Sequence, residues 1–380
     1  MQTQFSTENK KSQCHFISDY LINVFIRCIF PMYLYLWNRT SSFYQRIVTV
    51  MKIAVVGDGA WGTALALNML RNKHDVTLWG AFPDYLSEMS VRRENFKFLP
   101  GVTLPGELKL CADMAEAVSA ADVLLLSTPT QFLRPVLKKL QTVRNSNAPV
   151  INVAKGIEIN SWKLISEIVR DELGDVDFID LSGPSHAEEV SRQVPTAVVA
   201  AADNPASAKL VQSLMMNEKF RVYTSDDVIG VELGGALKNV MAIAAGIIDG
   251  MKLGDNPKAA MMTRGISEMG KLGEALGGKR STFAGLSGIG DLIVTCTSGH
   301  SRNRHVGEEL GRGKKLDVIL KEMNMVVAEG VPTAKGAYTL ANRAGVATPI
   351  IDEIYHILYF DRPVQEAVRS LMSRDAKPEE

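Results

Sequence analysis

The chain of 380 residues is long enough to bury more than one hydrophobic core, and its length favours two domains. Lysine plus arginine and aspartate plus glutamate number 42 each, so no global field selects nucleic acid or an anionic membrane. A charged ligand must therefore be held by a few local residues. The cysteines show no CxxC spacing, which argues against a zinc site or a disulfide framework and suits the reducing cytosol.

Residues 1–50 differ in composition from the rest of the chain. The segment 21–37, LINVFIRCIFPMYLYLW, is apolar, but Arg27 and Pro31 interrupt it, and it is shorter than the roughly 20 residues that span a bilayer. A central arginine adds about 3 kcal/mol to the cost of insertion, and no small-residue cleavage site marks a signal peptide. Three interpretations stay open: a membrane-surface anchor, a poorly ordered appendage, or upstream sequence joined by a misplaced start codon. Because Met51 directly precedes a first strand, we favour the last two and place residues 1–50 outside the fold.

A strand–turn–helix pattern begins directly after Met51. Residues 52–56 (KIAVV) form a β-branched run that is typical of a parallel strand buried on both faces. Residues 63–71 continue as a helix rich in alanine and leucine, and residues 75–79 (DVTLW) form a second strand. The pattern predicts a βαβ unit.

Three glycines with GxGxxG spacing lie between the first strand and the helix. Gly57 permits a tight turn, Gly59 lets the backbone approach a pyrophosphate, and Gly62 lets the helix pack on the strand. The helix N-terminus then presents free N–H groups to an anion. Glycine turns are common, but in this context a dinucleotide site is favoured over a plain βαβ turn.

The sequence does not indicate whether the dinucleotide is NAD or NADP. NAD-selective folds place an acidic residue at the end of the second strand, where it binds the ribose hydroxyls. Here that position reads Trp79-Gly80-Ala81, with neither an acid nor an arginine. Arg92 and Arg93 could reach a 2′-phosphate, although a solvated helix face explains them equally well. NAD and NADP both stay open.

Strands and helices continue to alternate through the first half of the chain. The strands are predicted at 122–127, 149–153 and 178–181, and the helices at 131–140 and 163–173. This alternation predicts a doubly wound parallel sheet with ligands at the carboxyl ends of its strands. Those ends read STPT, AKG and SGPSHA, and Lys155 is the only charge directly at such an edge. A ligand role for Lys155 is favoured over that of a solvated loop lysine.

From about residue 226 the pattern changes to long helices, and the first of them contains one anomaly. Its apolar stripe at helical spacing is typical of a core helix and consists of Leu233, Leu237, Val240, Ala244 and Ile248. Lys238 adjoins that stripe, and its helical neighbours are small or apolar. Its ammonium should be partly desolvated, which lowers its pKa toward the range useful in proton transfer. A lysine that snorkels at a domain seam is the alternative, and we favour catalysis.

Two further stretches are polar and rich in glycine, at residues 285–307 and 326–336. Asp291 follows a glycine loop and begins an apolar helical turn, where a helix cap is the simplest explanation. Residues 302–304 (RNR) form a donor cluster that suits a phosphate, or else a solvated loop. Glu329 lies in the second stretch, at another junction of loop and helix.

Six motifs resemble, in order and spacing, those of bacterial NAD(P)-dependent glycerol-3-phosphate dehydrogenases: GDGAWGTALA, NVAKGIE, SGPSHAEE, GVELGGALKNVMAIAAGIIDG, GLSGIGDLIVTCTSGHSRNRHVG and EGVPTAKGAY. The resemblance runs from about residue 51 to about residue 371. It implies an α/β fold, with an N-terminal doubly wound Rossmann-type parallel sheet (51–228), an all-helical C-terminal substrate domain (229–372) and a charged tail (373–380).

The resemblance also implies an activity. The enzyme would interconvert dihydroxyacetone phosphate and sn-glycerol 3-phosphate by hydride transfer with NAD or NADP, and would supply glycerol 3-phosphate for phospholipid synthesis. It would be a cytoplasmic homodimer with a small phosphorylated substrate, no metal, no nucleic-acid partner and no stable membrane insertion.

Residue roles follow from the resemblance, position by position. The implied catalytic residues are Lys238 as proton acceptor in the oxidation, Asp291 as its orienting partner, and Lys155. The implied substrate-binding residues are Lys155, Gly183, Ser185, Lys238, Asn239, Asp291, Ser301, Arg302 and Asn303. The implied cofactor-binding residues are Gly57, Gly59, Ala60, Trp61, Gly62, Ala81, Lys155, Ala187, Arg302, Val327 and Glu329.

The chain departs from the family pattern in places, and alternatives stay open. The family often has a histidine or arginine near Ala81 that supports NADP binding, and His186 stands where phenylalanine is common. A related two-domain reductase of a keto or hydroxy carboxylate, such as ketopantoate, is the nearest alternative. A nucleotide-sensing protein without turnover is disfavoured, because a sensor would not need Lys155, Lys238, Asp291 and Arg302.

Overall fold

The computed structural model describes residues 50–144, 148–323, 327–376 and 378–379. The apolar segment 21–37, and with it the interpretations of residues 1–49, lies outside the described residues. The first described strand begins at Lys52, directly after Met51, as the sequence predicts.

The first part of the described chain alternates strands and helices: β1 (Lys52–Val56), α1 (Ala60–Arg71), β2 (Asp75–Trp79), α2 (Pro83–Arg92), β3 (Lys109–Cys111), α3 (Met114–Val118), β4 (Val123–Leu126), α4 (Thr130–Val143), β5 (Val150–Asn152), α5 (Ile165–Leu173), β6 (Phe178–Ser182), α6 (Ala187–Ser191), β7 (Thr196–Ala201), α7 (Pro205–Met215) and β8 (Phe220–Ser225).

The described chain is then helical: α8 (Val228–Gly250), α9 (Asp255–Ala275), α10 (Asp291–Thr297), α11 (Arg302–Gly311), α12 (Leu316–Glu322), α13 (Gly330–Ala344), α14 (Pro349–Phe360) and α15 (Val364–Met372). A 3₁₀-helix (Arg280–Ala284) and a π-helical turn (Leu286–Gly290) lead into α10. The change from strands to helices falls where the sequence predicts it, although the division into domains 51–228 and 229–372 stays a prediction.

The strands form one sheet in the order β3-β2-β1-β4-β5-β6-β7-β8. All neighbours are parallel except β6 and β7, which are antiparallel. The doubly wound arrangement is confirmed, but the sheet is not parallel throughout. The register pairs Val56 with both Trp79 and Leu126, so β1, β2 and β4 end together at one edge.

Both faces of the sheet are buried. Ile53 and Val55 of β1 belong to one apolar cluster, and Ala54 and Val56 belong to a second cluster on the opposite face. Alternate side chains of a strand point to opposite faces, so a strand covered by helices on both sides must be apolar at every position. This is why β1 has the continuous apolar sequence IAVV.

Helix α8 is the centre of the helical part. It is long and apolar enough to cross a membrane, but the whole of its most apolar window is buried in the protein, as in a core helix. It packs against α11 at near backbone contact, because a Cβ atom at Gly307 of α11 would lie 2.0 Å from the carbonyl oxygen of Ile243. This close packing brings the first turn of α11 beside the middle of α8.

Candidate active site

The glycine loop lies between β1 and α1, at the carboxyl edge of the sheet. Gly57 has a φ of +125°, which L side chains rarely adopt, and a Cβ atom there would lie 2.9 Å from the backbone of Ser127. The Ser127 hydroxyl donates to the carbonyl oxygen of Gly57 over 2.9 Å. A Cβ atom at Gly62 would lie 2.2 Å from Oγ of Ser127. The tight turn and the close helix packing predicted for these two glycines are both present.

Open space adjoins the N-terminus of α1. A Cβ atom at Gly59, the N-cap residue, would meet no described atom within 4 Å. No side chain of the described residues caps the helix, which starts at Ala60 rather than at the predicted residue 63. The N–H groups of the first turn are therefore left for an anion.

Two buried polar atoms around this edge, Oδ2 of Asp58 and Nε1 of Trp61, have no hydrogen-bond partner among the described residues. Proteins rarely leave such atoms unpaired, so each of them needs an explanation. A dinucleotide would offer phosphate, ribose and carboxamide groups to this edge. The residues present fit a nicotinamide cofactor, which when bound supplies or accepts the hydride.

Three elements bring the predicted catalytic residues together around one carboxylate. Lys238, from the middle of α8, has 7 % of its surface exposed, and Asp291, the first residue of α10, has 1 %. Nζ of Lys238 lies 3.0 Å from Oδ1 of Asp291, and Nζ of Lys155, which follows β5, lies 2.6 Å from Oδ2. The helix-cap interpretation of Asp291 is wrong, because its side chain binds the two lysines instead of capping α10.

Burial and neighbouring charges set the protonation of these groups. Burial lowers the pKa of Lys238 to about 8; Asp291 opposes the change, and the positive charge of Lys155 adds to it. Burial by itself would raise the pKa of Asp291, but the two ammonium groups hold it below the ordinary value. Asp291 is thus ionised near neutral pH, while Lys238 can exchange a proton there.

Thr295 completes this group and was not predicted from the sequence. Its Oγ1 accepts a hydrogen bond from Nζ of Lys238 over 2.8 Å and donates to the carbonyl oxygen of Asp291 over 2.6 Å. The signal that could have found it is the spacing of four residues in DLIVT, which places Thr295 one turn after Asp291 on the same helix face.

Side-chain amides link the helices around the lysine pair. Asn239 donates to the carbonyl oxygens of Gly235 (3.3 Å) and Lys155 (3.5 Å). Its own amide oxygen accepts from Asn303 of α11 over 2.9 Å, and the Asn303 oxygen accepts from the backbone N–H of Gly330 over 2.9 Å. The amides fix α8, α11 and α13 relative to each other.

Arg302 and Arg304 differ sharply although they lie in the same turn. Arg304 binds Asp249 of α8 through two of its nitrogens, at 2.7 and 2.6 Å. The interpretation of residues 302–304 as one free donor cluster is therefore wrong for Arg304, because α8 supplies its partner.

Arg302 has an exposed side chain, with no hydrogen bond or ion pair to any other residue that the structure describes. The surrounding protein partly desolvates the guanidinium and so lowers its pKa, and the negative charge of Glu329 opposes that change. Arg302 is the first residue of α11, and Ser301 caps this helix by accepting a hydrogen bond from the N–H of Arg304. A free guanidinium and a helix N-terminus therefore lie together, as a phosphate site requires.

Glu329 lies beside the start of α4. Its Oε1 accepts from the backbone N–H of Thr130 over 2.8 Å. Burial raises the pKa of Glu329 to about 7, and the N–H of Thr130 and the charge of Arg302 oppose the rise. The carboxyl group can therefore be protonated near neutral pH and act as a hydrogen-bond donor.

The other predicted residues line the same region with fewer contacts. The carbonyl oxygen of Gly183 accepts from Lys155 (3.1 Å) and from the hydroxyl of Ser185 (2.8 Å). Ala187 is buried at the start of α6, Val327 is half-buried, and Ala81 is exposed after β2. Their predicted contacts with substrate or cofactor stay predictions.

Two family models match this chain. The model described as NAD-dependent glycerol-3-phosphate dehydrogenase N-terminus covers residues 52–208, and the C-terminal model of the same family covers residues 227–369.

Individual proteins agree with the models. A glycerol-3-phosphate dehydrogenase [NAD(P)+] from Bacillus pumilus is 48 % identical over 326 residues, 85 % of this chain and 94 % of the relative. The protein of that name from Prosthecochloris aestuarii is 48 % identical over 332 residues, 87 % of this chain and 100 % of the relative. The crystal structure of glycerol-3-phosphate dehydrogenase from Coxiella burnetii is 37 % identical, covers 86 % of this chain and 99 % of its own, and has a TM-score of 0.83. The chain belongs to the NAD-dependent glycerol-3-phosphate dehydrogenase family.

Proposed function

We propose that this chain interconverts dihydroxyacetone phosphate and sn-glycerol 3-phosphate with NAD or NADP, and that it supplies glycerol 3-phosphate for phospholipid synthesis. The main support for this reaction is the buried arrangement in which Asp291 binds both Lys155 and Lys238. Reduction of a ketone needs a proton at the oxygen atom when a hydride reaches the carbon atom. A desolvated lysine with a pKa of about 8 can deliver that proton near neutral pH.

In this proposal Lys238 protonates the C2 oxygen of dihydroxyacetone phosphate, and in the oxidation it accepts the proton from the C2 hydroxyl. Asp291 and Thr295 hold its ammonium in place through bonds of 3.0 and 2.8 Å. Lys155 binds the other carboxylate oxygen of Asp291. It would bind both substrate and cofactor. Two fixed positive charges would stabilise negative charge that develops on the oxygen.

The substrate phosphate would bind at the first turn of α11. Arg302 is free among the described residues and can present a planar pair of donors, and Asn303 is held in place by Asn239. Ser301, Gly183 and Ser185 would complete the substrate site. A site with these donors suits a phosphate better than an uncharged group.

The cofactor would lie along the carboxyl edge of the sheet. Its pyrophosphate would lie over Gly57, Gly59 and Gly62 at the N-terminus of α1, since the space beside Gly59 is open. The remaining predicted contacts are Ala60, Trp61, Ala81, Ala187, Val327 and Glu329, and Lys155 and Arg302 would contact both ligands. Glu329, protonated near pH 7, can donate to a carboxamide oxygen.

We also propose four properties of the chain outside the active site. The chain divides into domains between residues 228 and 229, forms a homodimer, lies in the cytoplasm without stable membrane insertion, and does not use residues 1–50 in catalysis. A chain that starts at Met51 should therefore keep the kcat/KM of the full chain. A large loss of kcat/KM in a shortened chain that is still folded would contradict the last proposal.

The test compares three ketones with the full chain: dihydroxyacetone phosphate, dihydroxyacetone and ketopantoate. Oxidation of NADH and of NADPH is followed by absorbance. We expect turnover with the phosphorylated ketone and little with the other two. Preferred turnover of ketopantoate would favour a reductase that uses Arg302 for a carboxylate. Binding of nucleotide without any turnover would favour a sensor.

A further inference from the structure

Asp58 lies between Gly57 and Gly59, and its side chain has no role in the cofactor site proposed above. It is buried, with 9 % of its surface exposed. Its Oδ2 is enclosed and has no hydrogen-bond partner among the described residues. A buried carboxylate oxygen without a partner is costly, so its presence in a glycine loop needs an explanation.

The carboxylate of Asp58 lies over the end of β2. A Cβ atom built at Gly80 would be 2.5 Å from Oδ2 of Asp58 and 2.7 Å from its Cγ. Gly80 directly follows Trp79, the last residue of β2. This is the place where NAD-selective sheets carry an acidic side chain for the ribose hydroxyls. The end of β2 has no acidic residue of its own. The carboxylate of Asp58, which belongs to the glycine loop, lies in that place instead.

Asn95 holds this part of the loop in position. It is fully buried, and its amide donates to the backbone carbonyl oxygen of Asp58 (2.7 Å) and to Oγ1 of Thr63 in α1 (2.8 Å). Asn95 thus fixes the backbone of Asp58 relative to α1.

The arginines after β2 are already engaged. Arg92 pairs with Glu88 at 2.5 Å, and its guanidinium lies 4.3 Å from the ring centre of Phe96. The guanidinium of Arg93 donates to the backbone carbonyl oxygens of Leu104 (3.1 Å), Leu108 (3.3 Å) and Pro105. From the sequence, both arginines were candidates for binding a 2′-phosphate. Their contacts in the structure disfavour that role.

The nearby lysines have partners too. Nζ of Lys97 lies 4.9 Å from the ring centre of Tyr85, and Nζ of Lys109 binds Asp75 at 2.7 Å. Ala81, where the resemblance allows a basic residue, has no charge. Near the end of β2, Oδ2 of Asp58 thus has no hydrogen-bond partner among the described residues, while these two arginines and two lysines are engaged with other groups.

We propose that Asp58 accepts hydrogen bonds from the hydroxyls of the adenosine ribose and thereby selects NAD(H) against NADP(H). The inference rests on the proposed cofactor site. In NADP the 2′-hydroxyl is replaced by a phosphate with about two negative charges, which would lie against the carboxylate. Like charges repel, and the phosphate also lacks the hydroxyl donor that Asp58 needs.

The environment of Asp58 agrees with a ligand as its missing partner. Burial raises the pKa of its carboxyl group, and a hydrogen bond from the loop backbone opposes the rise. Hydrogen bonds from a ribose diol would favour the ionised form and lower that pKa again. A bound NAD would therefore remove the cost that the carboxylate carries in the protein alone.

The test measures binding of fragments that carry only the adenosine half, so it does not depend on catalysis. Isothermal titration of the full chain gives Kd values for ADP-ribose, 2′-phospho-ADP-ribose, NADH and NADPH. The variants are Asp58→Asn, which keeps the shape but not the charge, and Asp84→Asn, which removes the same charge from an exposed position at the start of α2. Thermal unfolding checks that both variants fold.

We expect the unmodified chain to bind ADP-ribose and NADH at least about tenfold more tightly than their 2′-phosphorylated counterparts. Asp58→Asn should reduce this preference about tenfold or more, without a lower Tm, whereas Asp84→Asn should leave it unchanged. Equal or tighter binding of NADPH by the unmodified chain, or loss of the preference in Asp84→Asn alone, would overturn the role of Asp58. If none of the four ligands bound, the proposed cofactor site itself would be wrong, and this inference with it.

Discussion

Lys238 and Asp291 are joined by a hydrogen bond of 3.0 Å between Nζ and Oδ1, in a place where both side chains are almost completely buried. Lys155 occupies the other carboxylate oxygen of Asp291 at 2.6 Å. The pair is thus part of a group with two positive charges and one negative charge, taken from three separate segments of the chain. Removing the single carboxylate would leave two ammonium groups facing each other in a poorly solvated site.

Asp291→Asn should impair proton transfer by Lys238. The amide cannot balance the two ammonium groups, so the pKa of Lys238 should fall below about 8 and the ammonium should lose its fixed position. We expect kcat for the reduction to fall about 10²- to 10⁴-fold. Steady-state kinetics over a range of pH would measure both effects.

Glu268→Gln is the matched control for Asp291→Asn. Glu268 is also a buried carboxyl group, but it accepts hydrogen bonds from the N–H groups of Ile350 and Ile351 at the start of α14. Its loss should lower the stability and leave the pH profile of the reaction unchanged. Similar pH profiles for Asp291→Asn and the unmodified enzyme would contradict the assigned role of Asp291.

The pH dependence of the two directions should be opposite. Reduction of the ketone needs the protonated form of Lys238, whose pKa burial lowers to about 8. The kcat/KM for dihydroxyacetone phosphate should therefore fall about tenfold per pH unit above that value, once Lys238 is neutral. Oxidation of glycerol 3-phosphate needs the neutral amine and should rise through the same pH. A reduction rate that increased from pH 7 to 9 would argue against Lys238 as the proton donor.

Arg302→Lys should weaken recognition of the phosphate. A lysine keeps the charge but loses the planar pair of donors, so KM for dihydroxyacetone phosphate should rise about 10- to 100-fold with a smaller change in kcat. The weak activity with dihydroxyacetone, which has no phosphate, should not change. Arg304→Lys is the control, because Arg304 is bound to Asp249 and should affect stability rather than KM. An equal rise of KM in both variants would contradict a specific phosphate role for Arg302.

Gly307→Ala should separate α11 from α8. The new Cβ atom would lie 2.0 Å from the carbonyl oxygen of Ile243, and backbone cannot yield as a flexible side chain can. We expect a loss of about 1–3 kcal/mol in the free energy of unfolding, measured with urea. Gly299→Ala is the control, since a Cβ atom there would meet no described atom within 4 Å. Equal stabilities of the two variants would mean that the helices are less closely packed than described.

The sequence predicted the elements whose signals are local. The glycine spacing and the apolar run in front of it located β1, α1 and the cofactor edge, and the stripe of α8 identified Lys238 as a buried lysine. Strand β3 (KLC) has three residues, none of them fully buried, so it lacks the apolar run that marked the equally short β5. Strand β7 (TAVVAA) contains so much alanine that a buried helix is as good a description. For β8 a signal existed, since buried Phe220 and Val222 alternate with exposed Arg221 and Tyr223.

The site was less predictable, because its contacts join distant parts of the chain. The residues around Asp291 indicated only a helix cap, and its pairing with Lys238 was implied by the family resemblance alone. In the structure Lys155 and Lys238, each more than 50 residues away, bind its two oxygens. Arg302 and Arg304 look alike in sequence, and only the position of Asp249 on α8 separates them. Side-chain partners of this kind depend on how helices pack, which periodicity does not specify.

Lys238→Met removes the proposed proton donor, and this variant is compared with the full chain. Methionine keeps most of the side-chain volume in α8 but has no ammonium. The two quantities are the rate of NADH or NADPH oxidation with dihydroxyacetone phosphate and the Kd of the same cofactor. We predict a fall in kcat of about 10³-fold or more with an almost unchanged cofactor Kd. A variant that kept most of its turnover would contradict the proposal that Lys238 transfers the proton.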